Sequence, residues 1–192
     1  MEQIEQPIIN FQGNKVALGP LSSKLNSLYQ RWNNDFFINR ATSSMRPVVL
    51  EEQVQAVEKY SKDKNYIFFT IYTKETLQPI GITYLSNITA RNAEFSIVIG
   101  ESQFHGQGYG TEATQLMLEY AFFVLGLHNV MLKVFEYNQA GIQAYSKAGF
   151  KIIGRRREVK WLNGRLWDDV FMECLSTEFK SEYINKYLQI NS

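Results

Sequence analysis

The feature that most constrains this chain is a glycine-rich segment at residues 104–113, which reads Phe-His-Gly-Gln-Gly-Tyr-Gly-Thr-Glu-Ala. It follows an alternating apolar run at residues 95–99 and precedes a helical pattern that starts near Thr111. A glycine loop between a strand and a helix points backbone N–H groups at an anion such as a phosphate. Because side chains would keep the ligand away from the backbone, the glycines at alternate positions predict a phosphate-binding loop.

Two well-known phosphate loops do not fit residues 106–111. No Gly-Lys-Ser/Thr ends the segment, so it is not a Walker loop. A dinucleotide fingerprint needs Gly-x-Gly-x-x-Gly after the first strand of a βαβ unit, whereas these glycines lie in mid-chain with a period of two. The loop alone leaves a second interpretation equally open, a plain glycine-rich turn that caps a helix.

Composition narrows the class of protein. The chain has 192 residues with a net charge of +1, and its dense basic run is limited to residues 155–157, which argues against a nucleic-acid partner. No apolar run reaches the ~18 residues of a membrane span, and residues 1–12 do not resemble a signal peptide. The single cysteine, Cys174, lies in an apolar run and is predicted to be a buried thiol. A cytoplasmic protein without membrane contact is expected.

Periodicity predicts one domain over residues 1–192, with a loose leader at 1–14 and a helical tail at 177–192. The dipeptide Asn163-Gly164 between two long extended segments predicts a type I′ hairpin turn. Strands and helices in this order predict an α/β domain with a mixed sheet and helices on both faces. The predicted strands are 15–21, 66–72, 79–88, 93–99, 130–135, 150–160 and 167–175, and the predicted helices lie near 21–32, after Pro47, and at 111–126 and 140–148.

A second motif lies downstream of the loop. Asn138 is followed seven residues on by Tyr145, and then come Lys147 and Gly149-Phe150. Together with residues 105–110, which fill the frame Gln/Arg-x-x-Gly-x-Gly/Ala, this pattern resembles the GNAT superfamily of acetyl-CoA-dependent N-acetyltransferases. The resemblance covers about residues 93–175. It implies a twisted, mainly antiparallel α/β (α+β) fold, acetyl-CoA as cosubstrate, and no metal.

The resemblance also implies where acetyl-CoA binds. The pyrophosphate is expected on the glycine loop, and the pantetheine arm along the end of the preceding strand. Asn138 would hydrogen-bond that arm or its strand, and Lys147 would reach a phosphate or remain solvated. His105 stands where the family usually has Gln or Arg, and an exposed loop histidine is an equal alternative. The cosubstrate-binding candidates are Val98, Ile99, Gly100, His105, Gly106, Gln107, Gly108, Tyr109, Gly110, Thr111, Asn138 and Lys147.

Two residues are the catalytic candidates. Tyr145 matches the family's general acid, which protonates the thiolate leaving group, with a core tyrosine as the alternative. Glu94 stands 14 residues before Gly108, at the spacing of the catalytic glutamate in histone-acetylating members. It would take a proton from the acceptor amine. Alternatively, a chain of water molecules takes this proton, or Glu94 is an ordinary solvated acid at the end of a strand. Backbone N–H groups near residues 98–100 would stabilise the oxyanion.

The acceptor is the least determined part. The run from Glu94 resembles the branch of ribosomal-protein N-terminal and spermidine acetyltransferases. The favoured hypothesis is direct attack by a small-molecule amine, such as a polyamine or amino sugar, within a ternary complex. A protein α-amine or a non-catalytic acyl-CoA-binding module are the alternatives, and a homodimer or higher homo-oligomer is left open. Acids and aromatics suit a cationic amine, although scattered surface residues explain them equally: Trp32, Asp35, Phe36, Glu51, Glu52, Trp161, Trp167, Asp168 and Asp169.

Overall fold

The computed structural model describes residues 6–42, 46–184 and 187. The strands are β1 Phe11–Gln12, β2 Val16–Pro20, β3 Ile67–Thr73, β4 Pro79–Ser86, β5 Asn92–Ile99, β6 Asn129–Phe135, β7 Lys151–Leu162 and β8 Arg165–Leu175. The helices are α1 Asn26–Asn34, α2 Phe36–Asn39, α3 Leu50–Lys62, α4 Tyr109–Glu119 and α5 Gln139–Ala148. This order confirms the predicted fold class.

One sheet joins the eight strands in the order β1-β2-β3-β4-β5-β6-β8-β7. Every neighbouring pair is antiparallel except β5 and β6, which run parallel. The parallel pair is in register only where Asn92, Ala93 and Glu94 lie beside residues 129–131. Beyond Glu94 the two strands separate, and residues 95–99 of β5 have no strand partner on that side within the described chain.

The sheet is covered on both faces. On one face, buried Leu116 and Met117 of α4 belong to the main apolar cluster, which also contains Phe95. On the other face, Tyr29 of α1 and Val57 of α3 form a second apolar cluster. Successive side chains of a strand point to opposite faces, so β5 contributes to both clusters and separates the two layers of helices.

Helix α4 ends in a wider turn. Residues 120–124 form a π-helical turn, in which the N–H of Leu125 bonds to the carbonyl of Tyr120. This turn takes up one residue more than an α-helical turn, so the regular 3.6-residue spacing no longer holds. Val124, the last residue of this turn, is 50% exposed.

The hairpin between β7 and β8 is confirmed. Asn163 and Gly164 both have positive φ, 53° and 77°, as a type I′ turn requires. Further along β7 the register slips between Arg156 and Lys160. The N–H of Glu158, inside this irregularity, donates to the Asp168 carboxylate at 3.0 Å.

The predicted loose leader is not loose at Phe11 and Gln12, which form β1 and pair with β2. The Phe11 ring is buried and stacks on Tyr120, so apolar burial orders this segment. The predicted tail helix is not found at residues 177–183, which form turns and bends, and most of its remaining residues lie outside the described ones.

Cys174 is 1% exposed in β8, as predicted, and burial raises the pKa of its thiol to about 12. Within the described part of the chain, no helix is long and apolar enough to cross a membrane.

Glu112 fixes the first turn of α4 to β2. Its Oε1 accepts from the backbone N–H groups of Lys15 at 2.7 Å and Val16 at 3.0 Å, and the residue is only 7% exposed. Substitution by Leu removes the acceptor, and a buried N–H left without one costs about 1–3 kcal/mol. We expect Glu112→Leu to lower the free energy of unfolding, measured in urea, by about 2 kcal/mol or more.

Glu112→Gln is the matched control for this test, because it keeps an oxygen that can accept both N–H groups. It should lose less than about 1 kcal/mol. Equal losses in the two variants would show that the negative charge near the helix start, rather than the two hydrogen bonds, stabilises the contact.

Candidate active site

The open edge of β5 presents backbone groups that the sheet does not use. The N–H of Gly100 donates to the carbonyl of Ile80 at 2.8 Å, so Gly100 turns its backbone towards β4. Backbone groups of successive strand residues point in opposite directions. Those of Phe95, Ile97 and Ile99 therefore point into the gap beside β6.

Of the three strand residues predicted to contact pantetheine, Ile99 alone turns its backbone into the gap. Val98 and Gly100 direct theirs towards β4 by the same alternation, so the prediction is not met for these two. The carbonyl of Ile99 accepts a hydrogen bond from Nε2 of His105 at 2.9 Å. The histidine thus holds the loop against the strand end, a role its sequence position did not reveal.

The glycine loop leads into a helix start with available N–H groups. Gly106 and Gly108 have φ values of +71° and +88°, which other residues rarely adopt. In α4 the N–H of Glu112 bonds to Gly108, and Gly108 has no side chain to cap the helix. Among the described residues, the N–H groups of 109–111 are therefore unpaired, as an anion site requires. A Cβ at either glycine would meet no atom within 4 Å, so the adjoining space is open.

Lys15 brings a positive charge to this loop. Its Nζ donates to the carbonyl of Gln107 at 3.1 Å and lies 5.8 Å from the ring centroid of Tyr109. No local motif indicates this contact, because 92 residues separate Lys15 from Gln107. Lys147, the predicted phosphate contact, is exposed in the last turn of α5.

Asn138 starts helix α5. Its Oδ1 accepts from the N–H of Gly141 at 3.0 Å and caps the helix. The side-chain oxygen is therefore already used, and only the Nδ2 amide is left to donate to a ligand. The contact with pantetheine stays a prediction, with Nδ2 as its donor.

Tyr145 comes from α5, on the other side of the gap from α1. Its ring packs nearly perpendicular to that of Phe95, with centroids 6.2 Å apart, and also contacts Phe150. Burial raises the pKa of its hydroxyl to about 12, so the phenol is protonated at neutral pH. No described residue hydrogen-bonds this hydroxyl. A purely structural role explains the ring contacts but not the unpaired hydroxyl.

A cavity of about 590 Å³ lies between the sheet and helices α1 and α3. Glu94 and Tyr145 both line it, although they come from different elements. Ser96 also lines it, because it stands two residues after Glu94 on the same face of β5. The alternation of the strand residues in the sequence is the signal that could have identified Ser96.

Trp32 forms part of the cavity wall and is held by the strand end. Its Nε1 donates to Oε1 of Glu101 at 2.9 Å, and Arg31 makes an ion pair with the same carboxylate. A Cβ on Gly100 would lie 2.2 Å from the indole ring. Gly100 is therefore required so that α1 can lie close to β5, which differs from its predicted role in binding the cosubstrate.

Two of the nine acceptor candidates, Trp32 and Asp169, line the cavity. The others do not, and most have a different role in the fold. Asp35 caps α2, Glu52 pairs with Arg46, Asp168 accepts from Glu158, Trp167 donates to Leu162, and Phe36, Glu51 and Trp161 are exposed.

Three features together define the class of GNAT-like acyltransferase folds. The sheet opens at the parallel pair β5 and β6, the start of α4 lies beside this opening, and the protonated Tyr145 lies within it. Residues 15–151 match the acetyltransferase (GNAT) domain, which is more than half of the chain. The chain belongs to this family. The resemblance noted in the sequence is thereby confirmed.

Several relatives are spermidine acetyltransferases. The chain is 31% identical over 97 residues to spermidine N(1)-acetyltransferase of Escherichia coli, an alignment covering 50% of this chain and 52% of that enzyme. It thus spans about half the length of that relative. It is 27% identical over 155 residues to human alpha/beta-tubulin-N-acetyltransferase 9, covering 72% of this chain and 73% of the human protein.

Solved structures show the same fold. Spermidine N-acetyltransferase from Vibrio cholerae, in complex with CoA and spermine, superposes with a TM-score of 0.79 and 24% identity. The superposition covers 86% of this chain and 98% of that one. A GNAT-family acetyltransferase from Bacillus anthracis superposes with a TM-score of 0.76 at 16% identity, covering 88% and 99% of the two chains. At these identities the likeness concerns the fold alone.

The loop residues fit the phosphates of CoA, and Gly108→Ala tests this fit. A Cβ at φ +88° strains the backbone and would occupy part of the open space beside the loop. We expect CoA affinity, measured by isothermal titration calorimetry, to fall by about tenfold or more, which corresponds to the loss of one charge-assisted hydrogen bond.

Gly126→Ala is the matched control for the loop test. Gly126 has φ +67° and equally open surroundings, but it follows the π-helical turn at the opposite end of the helix. Its variant should lose similar stability and bind CoA normally. Unchanged CoA affinity in Gly108→Ala, or an equal loss in both variants, would contradict the loop assignment.

Proposed function

We propose that this chain transfers an acetyl group from acetyl-CoA to a primary amine of a small molecule, with a polyamine as the acceptor, by direct attack within a ternary complex. One observation carries the proposal: Glu94 and Tyr145 reach the same cavity at the point where β5 and β6 separate. A proton acceptor and a proton donor are thus available on either side of the reacting carbonyl carbon.

The donor is held mainly by backbone groups. The unpaired N–H groups of residues 109–111 and the positive end of the α4 dipole bind the pyrophosphate, and Lys15 adds a positive charge nearby. The pantetheine amides pair with the open edge of β5 at Ile97 and Phe95. An N–H of that edge is also suitably placed to stabilise the oxyanion that forms on the acetyl carbon.

The acceptor must lose protons to react. A primary amine has a pKa of about 10, so most of it is protonated at neutral pH and cannot attack the thioester. Glu94, half-buried at the start of the gap, takes the proton directly or through water. That proton then passes to solvent, so the carboxylate is free again to receive the second proton of the amine as the tetrahedral intermediate collapses.

Tyr145 stabilises the departing sulfur. With its pKa raised to about 12 by burial, the phenol stays protonated and donates a hydrogen bond that strengthens as the sulfur becomes negative. Complete transfer of the phenol proton to a thiolate of pKa near ~8.5 would be uphill. The hydrogen bond to the developing thiolate is therefore the main catalytic contribution of Tyr145.

The cavity favours a small acceptor over a protein. Helices α1 and α3 cover the side of the cavity opposite the sheet, and Glu94 and Asp169 place two carboxylates in its lining. The spermidine acetyltransferases among the relatives support a polyamine. A protein α-amine is the second candidate, since the tubulin acetyltransferase aligns over a longer part of this chain.

Tyr145→Phe tests the role of the hydroxyl. We expect kcat to fall by ~10²-fold with little change in the Kd of acetyl-CoA, the scale expected when a hydrogen-bond donor to a developing negative charge is lost. Activity requires the protonated phenol, and its raised pKa of about 12 means that deprotonation begins only at strongly alkaline pH. The pH profile of kcat/KM should therefore keep its shape between about pH 6 and 10 while its height falls.

Two results would contradict the role given to Tyr145. One is an unchanged kcat in Tyr145→Phe. The other is a wild-type profile that declines with a midpoint near pH 10 and loses this decline in the variant, because the phenol would then titrate at its ordinary pKa of about 10.

An acceptor panel separates the two candidate functions. Spermidine, an amino sugar, a monoamine and N-terminal peptides would be supplied with acetyl-CoA, and CoA release would be measured. We expect spermidine to have the highest kcat/KM and peptides to compete weakly. Preferred acetylation of peptides would favour the protein α-amine as the acceptor. If no acceptor of the panel led to CoA release, both candidate functions would be refuted.

A further inference from the structure

Asp169 is a buried carboxylate whose hydrogen-bonding capacity is not used. It lies in β8, is 6% exposed, and its Oδ1 has no hydrogen-bond partner among the described residues. A buried charged oxygen without a partner costs free energy, so it indicates a ligand or another group that completes the site. Asp169 lines the large cavity together with Glu94.

The surroundings of Asp169 already accommodate one cation. Asp169 lies opposite Phe135 of β6, and Nζ of Lys160 sits 5.1 Å from the centre of that ring, with the carbonyl of Thr42 at 3.4 Å. Burial raises the pKa of the Tyr137 hydroxyl. The positive charge of Arg40 lowers this pKa, whereas the negative charge of Asp169 raises it further. An aromatic face beside a carboxylate is a good environment for an ammonium group.

The other charges nearby are mostly directed to solvent. Asp169 also borders a smaller cavity of about 490 Å³, whose lining includes Lys133, Arg156, Arg157 and Glu158. These four residues are exposed, whereas Asp169 is buried. Among the described residues, none of the basic groups forms an ion pair with Asp169. Of these four residues, Lys133 also lines the large cavity, so a ligand there meets the carboxylates of Glu94 and Asp169 and the stem of this exposed lysine.

We propose that Asp169 determines acceptor specificity by binding the distal ammonium group of a di- or polyamine whose other end is acetylated between Glu94 and Tyr145. This inference rests on the proposed function and adds to it the residue that distinguishes polyamines from monoamines. When no acceptor is bound, Lys160 occupies the face of the Phe135 ring, so it would compete with an incoming ammonium group.

The register of the sheet sets the length of this acceptor. Glu94 lies beside Met131 of β6, and Asp169 lies opposite Phe135, four residues further along the same strand. Four strand residues span about 13 Å along β6, and the strands on its two sides, β5 and β8, lie about 10 Å apart, while both side chains reach inward from these positions. The distal ammonium must therefore be joined to the reacting amine by a long chain, so spermidine fits better than 1,3-diaminopropane.

Asp169→Asn tests the inference, because it keeps the shape of the side chain and removes its charge. The acceptors are spermidine, 1,3-diaminopropane and the monoamine butylamine. A charge-assisted hydrogen bond corresponds to about a tenfold or larger effect, so kcat/KM for spermidine should fall by that factor, mainly through KM. The value for butylamine should stay unchanged, and 1,3-diaminopropane should show a smaller loss than spermidine.

Two further variants frame this test. Asp168→Asn removes the same charge one residue away while keeping an oxygen for the N–H of Glu158, so spermidine kinetics should not change. Lys160→Met removes the competing ammonium but keeps an apolar stem, and should lower the KM for spermidine by roughly two- to fivefold, as expected for a cation–π contact.

The outcomes separate this inference from the proposed function. Equal losses for spermidine and butylamine in Asp169→Asn, or no loss, would refute the specificity role while acetylation remains. If the wild type acetylates no amine, the proposed function is wrong. Calorimetry of spermidine binding in the presence of CoA then decides whether Asp169 binds it: weaker binding in Asp169→Asn supports the site, and equal binding overturns it.

Discussion

The separation of β5 from β6 is the constraint on which the rest of the structure depends. The two strands pair over three residues and then part, so backbone groups of β5 at the centre of the sheet have no strand partner among the described residues. Such groups are costly if they are buried without hydrogen bonds. The gap therefore favours a peptide-like ligand that supplies them, and the pantetheine arm of CoA has this chemistry. The same gap admits Tyr145 from one face and Glu94 from the other.

The elements beside the gap are fixed by polar contacts made through side chains. Glu112 connects the start of α4 to β2, and Glu101 holds Trp32 of α1 at the end of β5. Both acids lie close to the glycine loop in sequence, yet neither faces the phosphate site. Their hydrogen bonds set the position of the helix start and of the cavity wall, so the loop can remain small and consist largely of glycine.

The sequence predicted the fold class, the strand order along the chain, the hairpin at Asn163-Gly164 and the family, because each has a local signature. It did not predict β1, whose two residues are ordered by burial of Phe11 against distant rings. It also misassigned Val98 and Gly100, since the side of a strand on which a backbone group lies depends on its partner strand. Lys15 and His105 acquire their roles through contacts that no short motif records.

The two halves of the site differ in how much a sequence can reveal about them. The donor half is built from backbone N–H groups, and a backbone shape demands particular residues, so the glycines and Asn138 form recognisable motifs. The acceptor half that we propose consists of cavity-lining side chains from separate elements, among them Trp32 of α1, Glu94 of β5 and Asp169 of β8. The sheet register brings Glu94 and Asp169 together through β6, which contributes neither of them, and Glu101 holds Trp32 in the cavity wall. In the proposed site, single substitutions can therefore change acceptor specificity while the donor motif stays constant, and the relatives of this chain are named for acceptors as different as spermidine and tubulin.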